Sequence, residues 1–245
     1  MATDRDNGIA GYQGYEYQKL VTVWLALKLM FMDRRCDSLD VEPASIEDIA
    51  VDLKALDASA TLGVSFDHIP LEIQIKSRGR NWNASGFSGV IHQKASTTPA
   101  EKKKRGPAPR PRALDHLTQR PELHYLLLTN AQLDPDLKDF QVTAFGAKSK
   151  AQTLAGKANA KVNGDTFSRI GIQPELTPER IQLESNALLK RYGHVPESGL
   201  SSSHAILMKE VHLRLLGKAP REWPKANIEA AMQSSGGWLT RSGSA

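Results

Sequence analysis

One short stretch of the sequence carries polar side chains whose types suit phosphate chemistry. Residues 71–78, LEIQIKSR, alternate apolar and polar side chains, a pattern typical of a β-strand with one apolar face. Glu72, Gln74 and Lys76 share the other face, because side chains two apart point the same way. Carboxylate and amide oxygens bind hard divalent cations, and an ammonium can stabilise charge on a phosphate. The strand is therefore either an exposed edge or part of an active site.

Two carboxylates on other predicted elements extend this candidate site. Asp48 falls within a predicted strand over 46–53. Glu16 heads the apolar face of the first predicted helix, where an acid is costly unless it has a partner or a function. Asp48, Glu16 and the Gln74 amide oxygen could bind Mg²⁺ or Mn²⁺, whereas Lys76 would orient the attacking water or stabilise charge in the transition state.

The elements that position these residues follow from hydrophobic spacing. Gly11 and Gly14 predict a turn before the first helix. Helical spacing or capping signals predict helices over 15–32, from 87 to 95, and over 113–120, 177–192, 203–216 and 226–232. Alternating or continuous apolar runs predict strands over 40–42, 46–53, 69–77, 124–129 and 166–173. This order predicts an α/β or α+β fold with a central mixed sheet flanked by helices.

Composition and charge exclude several classes of protein. The 245 residues are 40% hydrophobic and 24% charged, which is ordinary for a globular protein. The most apolar run, residues 20–32, is too short to cross a bilayer. The N-terminal residues MATDRDNGIAG do not have the pattern of a secretory or mitochondrial signal. The one cysteine, Cys36, cannot form a disulfide within the chain. We therefore expect a cytoplasmic protein with no membrane partner.

The basic charge is concentrated in one segment. The net charge is +5, and residues 102–112, KKKRGPAPRPR, carry six cations and no acid. The rest of the chain is therefore nearly neutral, which excludes a uniformly basic nucleic-acid binder. The segment is either a solvated linker or a nucleic-acid contact. Residues predicted to contact a DNA backbone are Arg78, Arg80, Lys102, Lys103, Lys104 and Arg105.

The order of these residues resembles the PD-(D/E)xK restriction-endonuclease-like nucleases. In that family an acid in one strand is followed, after a hairpin, by (D/E/Q)-x-K in the next, and an acid lies in the preceding helix. Asp48, Gln74-Ile75-Lys76 and Glu16 match this order, and GYEYQ at 14–18 is similar to the opening of the first helix in the Mrr-like and anti-phage branches. The likeness covers about residues 8–130 through motifs, and extends to about residue 215 only by general layout.

The resemblance implies a restriction-endonuclease-like core and a function. It is greatest to the N-terminal double-stranded-DNA endonuclease domain of bacterial anti-phage effectors, as in CBASS effectors and STAND-type defence ATPases. A core over 1–175 and a helical extension over 176–245 are expected. The implied activity is Mg²⁺-dependent hydrolysis of DNA phosphodiesters with little sequence preference. The implied partner is a second copy of the chain or a sensor or ATPase domain, and the polar end after Gly236 suits a domain of a longer polypeptide.

The sequence departs from the family at two positions and leaves alternatives open. The usual proline before the first acid is replaced by Glu47, and Gln74 stands where a carboxylate is more common. Glu72 could replace the lost charge, and Asp52 competes with Asp48, although Asp48 fits the family's E-D-[IV] run better. A DNA-binding module without catalytic activity, or a nuclease that cuts RNA, would have the same features.

Overall fold

The computed structural model describes residues 4–42, 48–54, 68–92, 113–156 and 162–236, with side chains described from residue 12 onward. Contacts within the chain divide it into two compact units. The first unit comprises Met1–Val41, Val51–Asp67 and Thr177–Ala245, and the second comprises Glu42–Ala50 and His68–Leu176. The division at residues 175 and 176 expected from the sequence stays a prediction.

The fold is α/β, with a mixed sheet flanked by helices. Six strands are hydrogen-bonded in the order β5-β4-β3-β2-β1-β6. Their bounds are Ser38–Val41 (β1), Ile49–Lys54 (β2), His68–Lys76 (β3), His124–Thr129 (β4), Ile170–Gln173 (β5) and Glu222–Pro224 (β6). The β3/β4 and β4/β5 pairs are parallel, whereas β1 and β6 are antiparallel. The sequence-based prediction of a mixed sheet with flanking helices is confirmed.

The second unit places an apolar core on one face of its parallel strands. The helices of this unit are α2 (Ala84–Ile91), α3 (Ala113–Gln119) and α4 (Gly164–Ser168), with a 3₁₀ turn at Pro135–Phe140. Tyr125, Leu127 and Ile172 bury their side chains in this core. They are joined there by Trp82, Phe87, Leu114, Leu117, Phe140 and Phe167. Because Glu72 pairs with Tyr125 and Gln74 with Leu127, these two polar residues of β3 lie on the face that the core covers.

The first unit consists mainly of helices. These are α1 (Asp4–Leu27), α5 (Pro178–Gly193), α6 (Leu200–Leu215) and α7 (Lys225–Ser234), with a π-helical turn at Lys28–Met32 and a 3₁₀ turn at Glu197–Gly199. α1 packs against α5 and α6. Thr177 caps α5 by accepting the Arg180 N–H, as its sequence predicted. None of the described helices combines the length and apolar character that crossing a bilayer requires.

Several predicted boundaries were wrong. The first helix begins at Asp4 and continues through Gly11 and Gly14, where a turn was expected. Glycine in a helix costs only about 1 kcal/mol relative to alanine, which the rest of a long helix can offset. The strand predicted over 166–173 is limited to Ile170–Gln173, because Asn163 caps the short helix α4 through the Thr166 N–H at 2.8 Å.

Smaller differences concern the ends of other elements. α2 begins three residues before the predicted start, where Asn83 accepts the Gly86 N–H, and the predicted end near residue 95 lies outside the described residues. α6 begins at Leu200, not at residue 203. β6 was not predicted, because a three-residue strand that ends in proline carries too short a pattern. The connection between β2 and β3 also lies outside the described residues.

Candidate functional site

Asp48 is fixed by its main chain and its side chain immediately before β2. Its N–H donates to the Ile73 carbonyl at 3.1 Å, and its carbonyl accepts the Glu42 N–H at 2.9 Å. Its carboxylate oxygen Oδ2 accepts the Ile75 main-chain N–H at 2.6 Å, and the same oxygen accepts a hydrogen bond from Gln74 Nε2. The placement of Asp48 within the strand was wrong by one residue, but the structure brings Asp48 and Gln74 into contact, as the candidate site requires.

The Asp48 carboxyl group has a perturbed acidity. Burial raises its pKa to about 6, although the Ile75 N–H, the Lys76 ammonium and the Gln74 amide all favour the charged form. Desolvation, with a smaller contribution from the negative charge of Glu42, therefore outweighs three stabilising interactions. Perturbed pKa values cluster at functional sites, although structural ion-pair networks also produce them, so the raised pKa supports the candidate site only together with the geometry above.

Lys76 ends β3 on the same face as Gln74. It is half-buried, and its ammonium acts on the Asp48 carboxylate as an opposite charge. It pairs in register with Thr129 of β4, so it lies at the carboxyl end of two parallel strands, where open α/β sheets commonly bind ligands. Asp48, Gln74 and Lys76 thus form one cluster within the second unit.

The Glu72 carboxylate pairs with a histidine of the helix that covers this face of the sheet. Its side chain is 6% exposed, and its Oε2 lies 3.3 Å from Nδ1 of His116 on α3. A solvated polar face was one expectation for this strand, but Glu72 and Gln74 are each only 5% exposed. The reason is that β3 has neighbouring strands on both sides and helices over this face. His116 was not identified from the sequence, and its position on a predicted helix gives no signal for this pairing.

The other two acidic candidates lie in the first unit. Glu16 was expected to head the inward face of α1, but its side chain is 36% exposed and forms an ion pair with Lys19 at 2.7 Å. Lys19, three residues along the helix, compensates the negative charge of Glu16. Asp52 is exposed in β2. For Glu16, the role of metal ligand stays a prediction.

The predicted DNA-contacting residues are only partly described. Arg80 is exposed and Arg78 half-buried. The Arg78 N–H donates to Oδ1 of Asn130 at 2.7 Å, and the Arg78 guanidinium carbon lies 4.3 Å from the centroid of the Trp82 ring. The sequence reasoning missed Asn130 and Trp82, although the R-x-x-x-W spacing after the strand was a usable signal. Lys102, Lys103, Lys104 and Arg105 lie outside the described residues.

The described residues supply few acidic ligands for a metal. Within the described part of the chain, no group of three or more His, Cys, Asp or Glu side chains could hold a metal ion. The candidate cluster offers one carboxylate, Asp48, and one amide oxygen, Gln74. Mg²⁺ accepts such a set, because it keeps several waters and binds through one or two carboxylates together with substrate phosphates.

Comparison with known proteins adds no family assignment. No protein-family model matches the chain, and a search of the curated proteins finds no match. The arguments for function therefore come from the cluster of Asp48, Gln74 and Lys76 and from the sequence resemblance described above.

Proposed function

We propose that the protein is a Mg²⁺-dependent endonuclease that hydrolyses phosphodiester bonds of double-stranded DNA with little sequence preference. One observation carries the proposal: Asp48 Oδ2 accepts hydrogen bonds from Gln74 Nε2 and the Ile75 N–H, with Lys76 next along the strand. These are the positions of the acid, the (D/E/Q) and the lysine in the PD-(D/E)xK pattern. The proposal includes a restriction-endonuclease-like fold for the core of the chain.

Each residue of the cluster has a role that follows from its chemistry. Asp48 is the main metal ligand, and Gln74 contributes its amide oxygen. When bound, Mg²⁺ would polarise the scissile phosphate and lower the pKa of a water molecule. Lys76 does not bind the metal; its ammonium stabilises negative charge that develops on the phosphate.

Gln74 also has a role in the absence of metal. A carboxylate at this position would repel Asp48, whereas an amide donates a hydrogen bond to it. The amide therefore holds the Asp48 carboxylate in place, but contributes no charge to metal affinity. Metal binding should accordingly depend on oxygens from the DNA phosphate, which couples Mg²⁺ binding to substrate binding.

The biological setting is part of the proposal. The resemblance to anti-phage endonuclease domains supports a role as a cytoplasmic effector in bacterial defence against phage. Such an effector would be activated by assembly with further copies of itself or with a sensor or ATPase domain. Light scattering of the chain with and without DNA tests this, and full activity of a strict monomer would refute assembly-dependent cutting.

The decisive experiment compares substrates and metals. Labelled duplex DNA, single-stranded DNA and RNA are each incubated with the protein in EDTA, Mg²⁺ or Mn²⁺. We expect cleavage of duplex DNA only with a metal ion, and loss of cleavage in the Asp48→Ala and Lys76→Ala variants. Cleavage by those variants at the wild-type rate would refute the assignment, and preferential cleavage of RNA would change the substrate.

A second candidate function is a DNA-binding module of the same fold that does not cut. Two observations favour it: Gln74 replaces a carboxylate, and the described residues lack a group of three metal-binding side chains. Duplex binding in EDTA without any cleavage in Mg²⁺ or Mn²⁺ would support this function over the nuclease.

A further inference from the structure

The guanidinium of Arg78 is held between an aromatic ring and a glycine. Its carbon Cζ lies 4.3 Å from the Trp82 ring centroid, within cation–π range. A methyl group added at Gly86, in the first turn of α2, would lie 2.6 Å from Arg78 Nη1 and 3.2 Å from Nη2. The close approach therefore depends on the absence of a side chain at Gly86. An arginine held in this way has lost much of the freedom of an ordinary surface side chain.

The ring that supports Arg78 is itself anchored beside Lys76. Trp82 is 4% exposed, and its Nε1 donates to Thr129 Oγ1 at 3.0 Å. Thr129 is the register partner of Lys76, and partners in neighbouring strands lie about 5 Å apart with side chains on the same face. Arg78 is thus placed at the carboxyl end of β3, next to the candidate site.

The Arg78 guanidinium lacks an anionic partner among the described residues. Its Nη1 is buried and has no acceptor there, and no described carboxylate forms an ion pair with it. Leaving a charged donor unsatisfied is unfavourable. Arg78 as a whole is half-buried, so its side chain is not sealed from solvent. A guanidinium that is restrained by its neighbours and has no carboxylate partner among the described residues is suited to binding phosphate.

We propose that Arg78 binds a backbone phosphate of the nucleic acid beside the one that Lys76 faces, and that Trp82 and Gly86 are positioning residues for its guanidinium. The choice of ligand rests on the proposed function, but the contact itself does not require cleavage. A planar guanidinium that is already oriented loses little freedom when it binds phosphate oxygens, which is why the two positioning residues should matter for affinity.

The two glycines of α2 give a matched test. Gly86→Ala would push the guanidinium away, whereas Gly89→Ala meets nothing within 4 Å. Both changes replace glycine by alanine within α2, and they differ in what the added methyl group touches. At Gly86 it also lies 3.2 Å from Oδ1 of Asn83, the residue that caps α2. Binding of a short duplex DNA to the full chain is measured in EDTA over a range of salt concentrations.

The expected result is a graded loss of binding. Arg78→Ala weakens binding about tenfold at 0.1 M salt and reduces the slope of log K against log salt by about 0.9, the value for one phosphate contact. Gly86→Ala weakens binding several-fold and reduces the slope in the same direction, and Gly89→Ala equals wild type. In the Arg78→Ala background, Gly86→Ala has little further effect on DNA binding, because its closest contact, the Arg78 guanidinium, is gone. Its remaining contact, 3.2 Å to Oδ1 of Asn83, concerns the cap of α2.

Several outcomes would overturn the proposal. These are equal affinity and slope for Gly86→Ala and Gly89→Ala, a wild-type slope for Arg78→Ala, an additive loss in the double variant, or no duplex binding by the wild type. If Gly86→Ala does not fold, Trp82→Phe replaces it: the loss of the Thr129 hydrogen bond should reduce the slope while the fold, checked by circular dichroism, persists.

Cleavage in Mg²⁺ is scored separately from binding. A wild-type protein that binds DNA with an Arg78-dependent slope but does not cut refutes the nuclease and retains the role of Arg78. A protein that cuts DNA while Gly86→Ala behaves as Gly89→Ala retains the nuclease and refutes the role of Arg78.

Discussion

The Gln74 side chain donates a hydrogen bond to Asp48 Oδ2, the oxygen that also accepts the Ile75 main-chain N–H. In the absence of metal, a second carboxylate at this position could not donate such a hydrogen bond and would repel Asp48. The amide stabilises a partly buried carboxylate without adding negative charge. If the proposed function holds, this arrangement gives a site that is ordered before metal binds but has a modest intrinsic affinity for a divalent cation.

Replacing Gln74 by glutamate should lower the stability of the protein without metal and raise its affinity for Mg²⁺. In EDTA, the Gln74→Glu variant should have a free energy of unfolding about 1–3 kcal/mol lower than wild type, because two carboxylates then face each other in a poorly solvated site. Mg²⁺ should restore the loss, since the cation neutralises both acids. Thermal unfolding with EDTA and with Mg²⁺ measures both effects.

The control for this change is Gln182→Glu, which alters the net charge equally. Gln182 lies in α5 and donates to Asn186 at 3.1 Å, so its replacement should leave the response to Mg²⁺ at the wild-type value. A Gln74→Glu protein that is no more stabilised by Mg²⁺ than this control would argue against a metal site at Asp48 and Gln74.

Asp48→Asn should remove activity while preserving or raising stability. Because burial raises the pKa of Asp48 to about 6, the native state binds a proton more tightly than the unfolded chain. The contribution of Asp48 to the free energy of unfolding is therefore most favourable below about pH 4 and is lost as the pH rises through about 6. At pH 8 the variant should be more stable than wild type by up to about 3 kcal/mol.

Urea unfolding at pH 4, 6 and 8 measures this difference, which should grow mainly between pH 4 and 6 and level off by pH 8. Cleavage by wild type should decrease as the pH falls through about 6, because a protonated Asp48 is a poor metal ligand. A variant that is less stable than wild type at pH 8, and by the same amount at pH 4, would contradict the assigned acidity.

Much of the fold could be predicted, because local patterns and tertiary structure agree. The continuous apolar run of β4 and the cap of α5 were assigned correctly, since a strand covered on both faces and a helix start each have a direct sequence signature. Residues 166–168 were assigned to a strand because their side chains suit one. The Asn163 cap, which makes them helical, lies outside that local pattern.

The cluster of Asp48, Gln74 and Lys76 consists of residues that the sequence singled out, but their surroundings could not be predicted. Gln74 and Lys76 stand out because polar residues alternate with apolar ones in β3. That same alternation suggests a solvated face, and it cannot reveal that α3 brings His116 over Glu72. The contacts of Arg78 with Trp82 and Asn130 likewise depend on how β3 and β4 pair, which the sequence does not specify residue by residue.

Lys76 should affect the chemical step far more than DNA binding. In the proposed mechanism its ammonium stabilises the charge that develops on the phosphate, and removing such a group typically lowers the rate 10²–10³-fold. The Lys76→Met variant should show a single-turnover cleavage rate reduced by about that factor and a duplex affinity within several-fold of wild type.

Lys76→Arg should recover part of the rate, because the charge is kept while its geometry changes. A rate for Lys76→Met within threefold of wild type, measured at saturating protein, would exclude a catalytic role for Lys76.

The stability of the second unit should depend strongly on Arg169, a buried residue outside the candidate site. Its guanidinium donates to the carbonyl oxygens of Leu117 at 2.8 Å, Leu123 at 2.9 Å and Arg120 at 3.0 Å. These three carbonyls lie at the end of α3 and in the turn before β4. The Arg169 guanidinium therefore links the end of α3 to the start of β4 by hydrogen bonds.

Arg169→Leu should lower the free energy of unfolding by about 3–5 kcal/mol, because buried carbonyls lose charge-assisted hydrogen bonds. Arg180→Leu is the control: Arg180 is exposed and pairs with Glu184 at 2.9 Å on the surface of α5, and its loss should cost less than about 1 kcal/mol. Urea unfolding followed by circular dichroism compares the two. Equal costs would show that the main-chain carbonyls near α3 find other donors when Arg169 is removed.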